Sequence, residues 1–371
     1  MKLLWFTENY YPSRGGMAQS CDRIVFNLRQ KGIEIDVVHF TNRGKAFVTE
    51  IQQNGSYTAC SIDEDISHSL NLLSNFLLAK KSIYDFILAF GGYLPIFSAP
   101  VFSKWLGIRL ITMIRGNDFD SALFTPKRRD ILFYALEKSE LIFTVDSAKK
   151  WKIEKLFPSI RTEFIANGIN LSDWKLSKSD LKNAKKWKEK NVQKQARIIG
   201  LFGHLKQKKG IDFFIEALCL SMISSKIHLL IVGDLPTETQ ELLAISQISY
   251  SQYDFMDKYE LLSYYPVCHA VALPSFYDGM PNVLLEAGGL AIPFIAADIH
   301  GISDVLSAGE HGFLFEVGNL NACAHALFDF VNTEENILQE MGNKMKKHIE
   351  ENFSDTLETQ KYFSLLSELM K

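Results

Sequence analysis

Short apolar runs recur along this chain. Each ends in a polar or glycine-bearing turn and is followed by a longer stretch with apolar residues three to four apart. Residues 2–7, 33–40, 85–90, 109–114 and 141–145 read as buried strands, and 17–31, entered through Gly15-Gly16 and closed by Gly32, reads as a helix. A strand, a helix and a strand in that order imply a parallel sheet. The second half repeats the alternation, with strands at 197–202, 227–232, 270–273 and 293–298 and helices from about 211 and 260. The last helix, 355–370, carries apolar residues at helical spacing. The pattern predicts an α/β protein of two parallel-sheet domains, 1–174 and 197–350. A connection spans 175–196, and a terminal helix lies within 351–371.

The length of 371 residues suits two domains of ordinary size, and 47% hydrophobic with 22% charged residues describes a normal globular protein. The net charge of −3 is unevenly distributed: +3 over 1–174, +7 over 175–197 and −13 over 198–371. Such asymmetry fits either one face approaching something anionic or a solvated basic linker beside an acidic domain. The linker lacks the interleaved aromatics and glycines of an RNA-binding module, so no nucleic-acid partner is expected. The five cysteines are scattered, without metal spacing or a disulfide framework, which fits a reducing cytoplasm. No signal peptide is read at the start, and no apolar stretch approaches ~20 residues, so membrane contact is expected to be peripheral at most.

The most informative stretch is Pro274-Ser-Phe-Tyr-Asp278-Gly-Met-Pro-Asn-Val-Leu-Leu-Glu286. A strand leads into an Asp-Gly turn, and a helix carries Glu286 about two turns beyond Asp278. Helix N-terminal amides between the two acids lack intrahelical partners and suit phosphate or sugar oxygens. Glu286 sits among apolar residues, where an ionised carboxylate needs a hydroxyl or N–H partner. Taken alone, the pair also fits an N-cap followed by a helix-face acid.

Across these thirteen residues the chain resembles the retaining glycosyltransferases of family 4, the glycosyl transferases group 1, which have the GT-B architecture of two facing Rossmann-like domains. The family pattern has Glu where this chain has Asp278. In the resemblance, Gly203-His204 through Lys209-Gly210 matches the segment whose Arg and Lys hold the donor diphosphate, with His204 at the Arg position. Neutral His supplies one donor where Arg supplies a charged fork. Gly15 and Gly16 resemble the paired glycines near that diphosphate, and Arg115 and Asp118 resemble donor-sugar residues at a strand end, though a strand-end salt bridge is an alternative. Tyr253 and Phe255 fall where the nucleobase pocket is usually built, and 162–170 resembles the segment that closes the first domain.

The resemblance implies a catalytic set of Asp278, Lys209, Arg115 and Asp118. Gly279, Met280, Pro281 and Asn282 would hold the sugar, and Glu286 the ribose. It implies transfer from a nucleotide-diphosphate sugar, UDP by family frequency, to a saccharide or lipid-linked saccharide in cell-envelope polysaccharide or lipopolysaccharide synthesis. The configuration would be retained, and the donor would lie at an interdomain cleft. A non-catalytic GT-B subunit and a nucleotide-sugar epimerase remain alternatives. No cofactor is expected. Two Asp-x-Asp triplets, at Asp63 and Asp118, have the form of metal motifs, but such pairs are common by chance, and Lys209 with helix amides can neutralise a diphosphate without a metal.

Overall fold

The all-apolar strands of both halves pair side by side in parallel, because strands joined by helical crossovers bury both of their faces. A computed structural model describes the whole chain except Arg14, Gly44, Lys45, Asp63, Lys81 and the side chain of Asn117. Asp63 of the first Asp-x-Asp triplet thus lies outside the described residues. The chain forms two compact units, Met1–Asn167 with Asp355–Lys371, and Gly168–Ser354.

The first unit holds β1 (Lys2–Thr7), β2 (Glu34–Phe40), β3 (Thr49–Gln52), β4 (Gly55–Cys60), β5 (Phe86–Phe90), β6 (Arg109–Ile114), β7 (Ser139–Thr144) and β8 (Arg161–Phe164). They form one sheet ordered β3-β4-β2-β1-β5-β6-β7-β8, parallel except for the β3–β4 pair at the edge. Right-handed crossovers that run outward to β2 and then back across to β5–β8 place their helices on opposite faces. Helix Gly16–Gln30 covers one face, and helices Ile66–Lys80, Tyr93–Leu106 and Pro126–Lys138 cover the other. This leaves β6–β8 bare on the first face, and helix Asp355–Glu368 fills that gap. Its Tyr362 and Leu366 are buried among Ile111, Met113, Leu141, Phe143 and Ile165. A partly buried ion pair, Arg23 to Glu358 at 2.9 Å, ties it to helix Gly16–Gln30.

The second unit holds β9 (Arg197–Phe202), β10 (Ile227–Val232), β11 (Ser249–Tyr253), β12 (Ala270–Leu273), β13 (Phe294–Asp298) and β14 (Gly312–Glu316). The order β11-β10-β9-β12-β13-β14 is parallel throughout and reverses direction between β9 and β12. In doubly wound sheets, ligands bind at the carboxyl ends of the strands at such a reversal.

Two differences from the sequence reading have simple causes. The stretch read as a linker contains helix Lys178–Asn191, which belongs to the second unit. Its buried Ala184 and the Trp187 indole, which donates to the Tyr253 hydroxyl at 2.6 Å, anchor it despite its lysines. The β3–β4 hairpin, β11 and β14 were not read because they are short: β3, β4 and β11 carry many polar residues, and β14 has only three apolar residues between Gly312 and Glu316.

Candidate active site

In the second unit, the loops after β9 and β12 are joined at the sheet reversal. The Phe276 amide donates to the Lys208 carbonyl at 3.0 Å. Gly210, at φ +67°, packs so closely that a Cβ there would lie 2.2 Å from the Pro274 carbonyl oxygen. Only glycine permits both that backbone conformation and that approach. Lys209 Nζ bonds the Asp278 carboxylate directly, Lys208 Nζ stands 4.0 Å from its other oxygen, and the Gly279 amide donates to it at 3.0 Å. Burial pushes the Asp278 carboxyl up, but the charge and hydrogen bond of Lys209, with Lys208 and the Gly279 amide, hold it below the usual carboxylate range. Two buried polar atoms near this junction, Ser275 Oγ and Asp212 Oδ1, have no hydrogen-bond partner among the described residues. Orphaned polar atoms beside a cation and helix amides fit a polar ligand.

Helix Asn282–Gly289 begins after Pro281, which supplies no side-chain cap, and the Leu284 amide donates to the Pro281 carbonyl at 3.0 Å. Met280 is buried. Gly301, at φ +83°, lets the loop after β13 close on Gly279, where a Cβ would meet the Gly279 carbonyl oxygen at 2.0 Å. Glu286, 8% exposed, accepts the Tyr265 O–H at 2.8 Å. Tyr265 is fully buried, with its ring 4.3 Å from Phe202 and 5.7 Å from Trp174, so it fixes the direction of the carboxylate. Sequence reasoning missed Tyr265: it follows Ser263 and Tyr264 before β12, and nothing local tells which of the three hydroxyls turns inward.

Of the remaining residues in this unit, His204 follows β9, its ring stacked 5.9 Å from Phe255 and Nδ1 3.9 Å from Asp234. The exposed imidazole is thus backed by the Phe255 ring, the two planes lying 20° apart. The Tyr253 hydroxyl is taken by Trp187, so its polar end faces helix Lys178–Asn191.

Gly15, Gly16, Arg115 and Asp118 belong to the first unit. Gly15, at φ +109°, caps helix Gly16–Gln30. The loops after β1, β5 and β6 converge at Gly91, where a Cβ would lie 2.9 Å from Asp118 Oδ2 and from Met17. Asp118 accepts the Arg115 and Gly116 amides at 3.0 and 2.8 Å, which closes its own turn. Asp120 faces away and pairs with Lys149 and Lys152, each at 3.1 Å, so this Asp-x-Asp triplet does not converge on one point. Among the described residues, no group of three or more His, Cys, Asp or Glu side chains is placed to hold a metal ion. Glu8, which sequence reasoning passed over, accepts the Leu94 and Tyr93 amides at 2.6 and 3.3 Å. Burial pushes its carboxyl up, those amides pull it down, and the Asp118 charge adds to the rise; the net direction is up.

Arg115 is 7% exposed, and its guanidinium bonds Asn167 and, at 3.0 Å, the Tyr362 hydroxyl. This joins the end of β6 to the last residue of the unit's main stretch and to the terminal helix. Arg115→Ala is expected to destabilise by about 2–4 kcal/mol, because two buried polar partners lose a charged donor. The thermal midpoint of the first unit should then fall by about 5–10 °C. Lys should not rescue it, since a single ammonium cannot fork to both partners. Lost turnover with an unchanged midpoint would instead place Arg115 on the substrate.

Residues 196–333 match the family model described as "Glycosyl transferases group 1". The capsular polysaccharide biosynthesis glycosyltransferase CapM of Staphylococcus aureus is 26% identical over 256 residues, 65% of this chain and 62% of CapM, so the match spans less than two thirds of that relative. The UDP-Gal:alpha-D-GlcNAc-diphosphoundecaprenol alpha-1,3-galactosyltransferase of Escherichia coli is 24% identical over 80% of this chain and 79% of that protein. Among solved structures, Anabaena HepE in complex with UDP-glucose superposes with a TM-score of 0.80 at 16% identity, covering 99% of each chain.

Proposed function

We propose that this chain, which belongs to the glycosyl transferases group 1 family and has the GT-B fold, transfers a sugar from a nucleotide-diphosphate donor to a saccharide acceptor in cell-envelope polysaccharide synthesis. The observation that carries the reading is the cluster of Lys209, Asp278, the Gly279 amide and the N-terminus of helix Asn282–Gly289 at the sheet reversal of the second unit. Lys209 and the helix amides face the diphosphate, where negative charge grows as the glycosidic bond breaks. Asp278 and the Gly279 and Met280 amides hold sugar hydroxyls. Glu286, directed by Tyr265, accepts the ribose hydroxyls, and the His204–Phe255 surface lies against the nucleobase or diphosphate.

UDP is proposed as the nucleotide and a lipid-linked saccharide as the acceptor; the printed name of the E. coli relative supports both. The acceptor hydroxyl attacks C1 as the diphosphate departs from the same face and takes the proton, so configuration is retained. No metal enters the reading, because Lys209 and helix amides supply the positive field.

The test is a thermal-shift panel of UDP, GDP, ADP, CMP and their sugars, followed by turnover of the sugar that shifts most, with and without EDTA. A UDP-specific rise in midpoint and EDTA-resistant transfer with retained configuration are expected, since a ligand that binds only the folded state must stabilise it. No shift from a folded sample would overturn the donor site. Sugar conversion without an acceptor would make the protein an epimerase.

A further inference from the structure

Helix Tyr93–Leu106 has its apolar side against the sheet, through Leu94, Ala99 and Phe102. Its outward stripe, at a spacing of four, is Tyr93, Phe97, Val101 and Trp105. Val101 is 58% and Trp105 48% exposed, and Tyr93 stacks on Phe97 with centroids 5.8 Å apart. Lys104 is the helix's single formal charge, where a solvent-facing helix ordinarily carries many. Against it packs helix Pro126–Lys138, which opens with three exposed cations, Lys127, Arg128 and Arg129. Phe124 just before it is 86% exposed, and the Arg128 guanidinium stands 5.9 Å from the Tyr93 ring. Among the described residues, no helix is long and apolar enough to cross a membrane.

We infer that this face of the first unit docks onto an anionic lipid bilayer surface. The aromatic stripe, about 18 Å long at 1.5 Å per residue, inserts at headgroup depth, where Trp and Tyr are favoured. The flanking cations meet the anionic headgroups. Charge decides the occupant: with Arg129 3.6 Å from Asp130, Lys127 and Arg128 still leave this turn net positive, so a second copy would bring a like-charged face, whereas anionic lipid complements it. The inference does not depend on the transfer reaction, but it would bring the first unit to where a lipid-linked acceptor resides.

The experiment is co-sedimentation of the full chain with phosphatidylcholine vesicles, with and without phosphatidylglycerol. Three proteins are compared: the natural chain, Val101→Ser/Trp105→Ser, and Lys127→Glu/Arg128→Glu. Binding to the anionic vesicles alone is expected, weakening as salt rises. Each double variant should bind at least about tenfold more weakly while keeping the natural circular dichroism spectrum and melting midpoint. Absence of binding to anionic vesicles, or binding untouched by both folded variants, would overturn the inference. So would a dimer in sedimentation velocity that dissolves on Trp105 substitution without vesicle binding, which would assign the face to self-association. If the serine variant misfolds, the charge reversal, which lies wholly on exposed positions, decides alone.

Discussion

Replacing Lys209 by Ala is expected to lower kcat/KM by roughly 100- to 1000-fold, the cost of removing one preorganised group that faces developing charge. The loss should fall mainly in kcat, because the diphosphate gains charge on leaving and an interaction that strengthens in the transition state acts there. The same substitution acts on the free protein through Asp278. Both side chains keep some solvent contact, at 22% and 14% exposure, so the lost pair should cost about 2 kcal/mol, below the 3–5 of a fully buried pair. The sign of its pH dependence follows from the depressed Asp278 carboxyl. Its stabilisation is present above the unfolded carboxylate value and is lost as pH falls through the lower folded value. The natural protein should therefore melt higher than Lys209→Ala at neutral pH, and the gap should close below about pH 4. Two melting curves taken across pH, beside steady-state kinetics, check both halves. A constant gap would mean that Asp278 is not paired to Lys209 in solution, and full turnover would remove Lys209 from the chemistry.

The second large effect is expected at Glu286. Glu286→Ala should weaken nucleotide-sugar binding by about 100- to 1000-fold, from two hydrogen bonds to a charged group at about 1.5–2 kcal/mol each. Ribose contacts are equal in ground and transition states, so the change should appear in KM, with kcat little altered. Free-protein stability supplies a separate readout. Alanine leaves the fully buried Tyr265 hydroxyl without its 2.8 Å acceptor, a penalty of about 1–3 kcal/mol. Adding Tyr265→Phe should recover much of that stability without recovering binding. Titration of UDP by calorimetry, with melting of the single and double variants, tests the pair. An unchanged UDP affinity in Glu286→Ala would remove the ribose role, and no recovery in the double variant would mean that Tyr265 does not direct the carboxylate.

Legibility was uneven between the units. In the second, Lys209 and Asp278 lie 69 positions apart, yet the family resemblance read them as one site, each at a turn after its own apolar strand. In the first, the same reading reached Arg115 and Asp118 by position and missed what they touch. Arg115 bonds Tyr362, 247 residues away on the terminal helix, and nothing local in an Arg-Gly turn signals a partner at that distance. Tyr253 shows the limit too: the resemblance placed it in the nucleobase segment, but the direction of its hydroxyl toward Trp187 was set by a helix that reads as a charged connection.

The sequence by itself determined the parallel strands, the crossover helices and the glycine turns at their ends, because apolar runs, helical spacing and glycine act over a few residues. It also set which acids and lysines stand at those turns. Tertiary structure alone decided that Lys209 and Asp278 neutralise each other, that Tyr265 aims Glu286, that Arg115 holds the terminal helix, and that an apolar stripe of helix Tyr93–Leu106 is left outside. Each of these depends on which side chains meet across the sheet order, and that order follows from the packing of whole faces rather than from any local pattern.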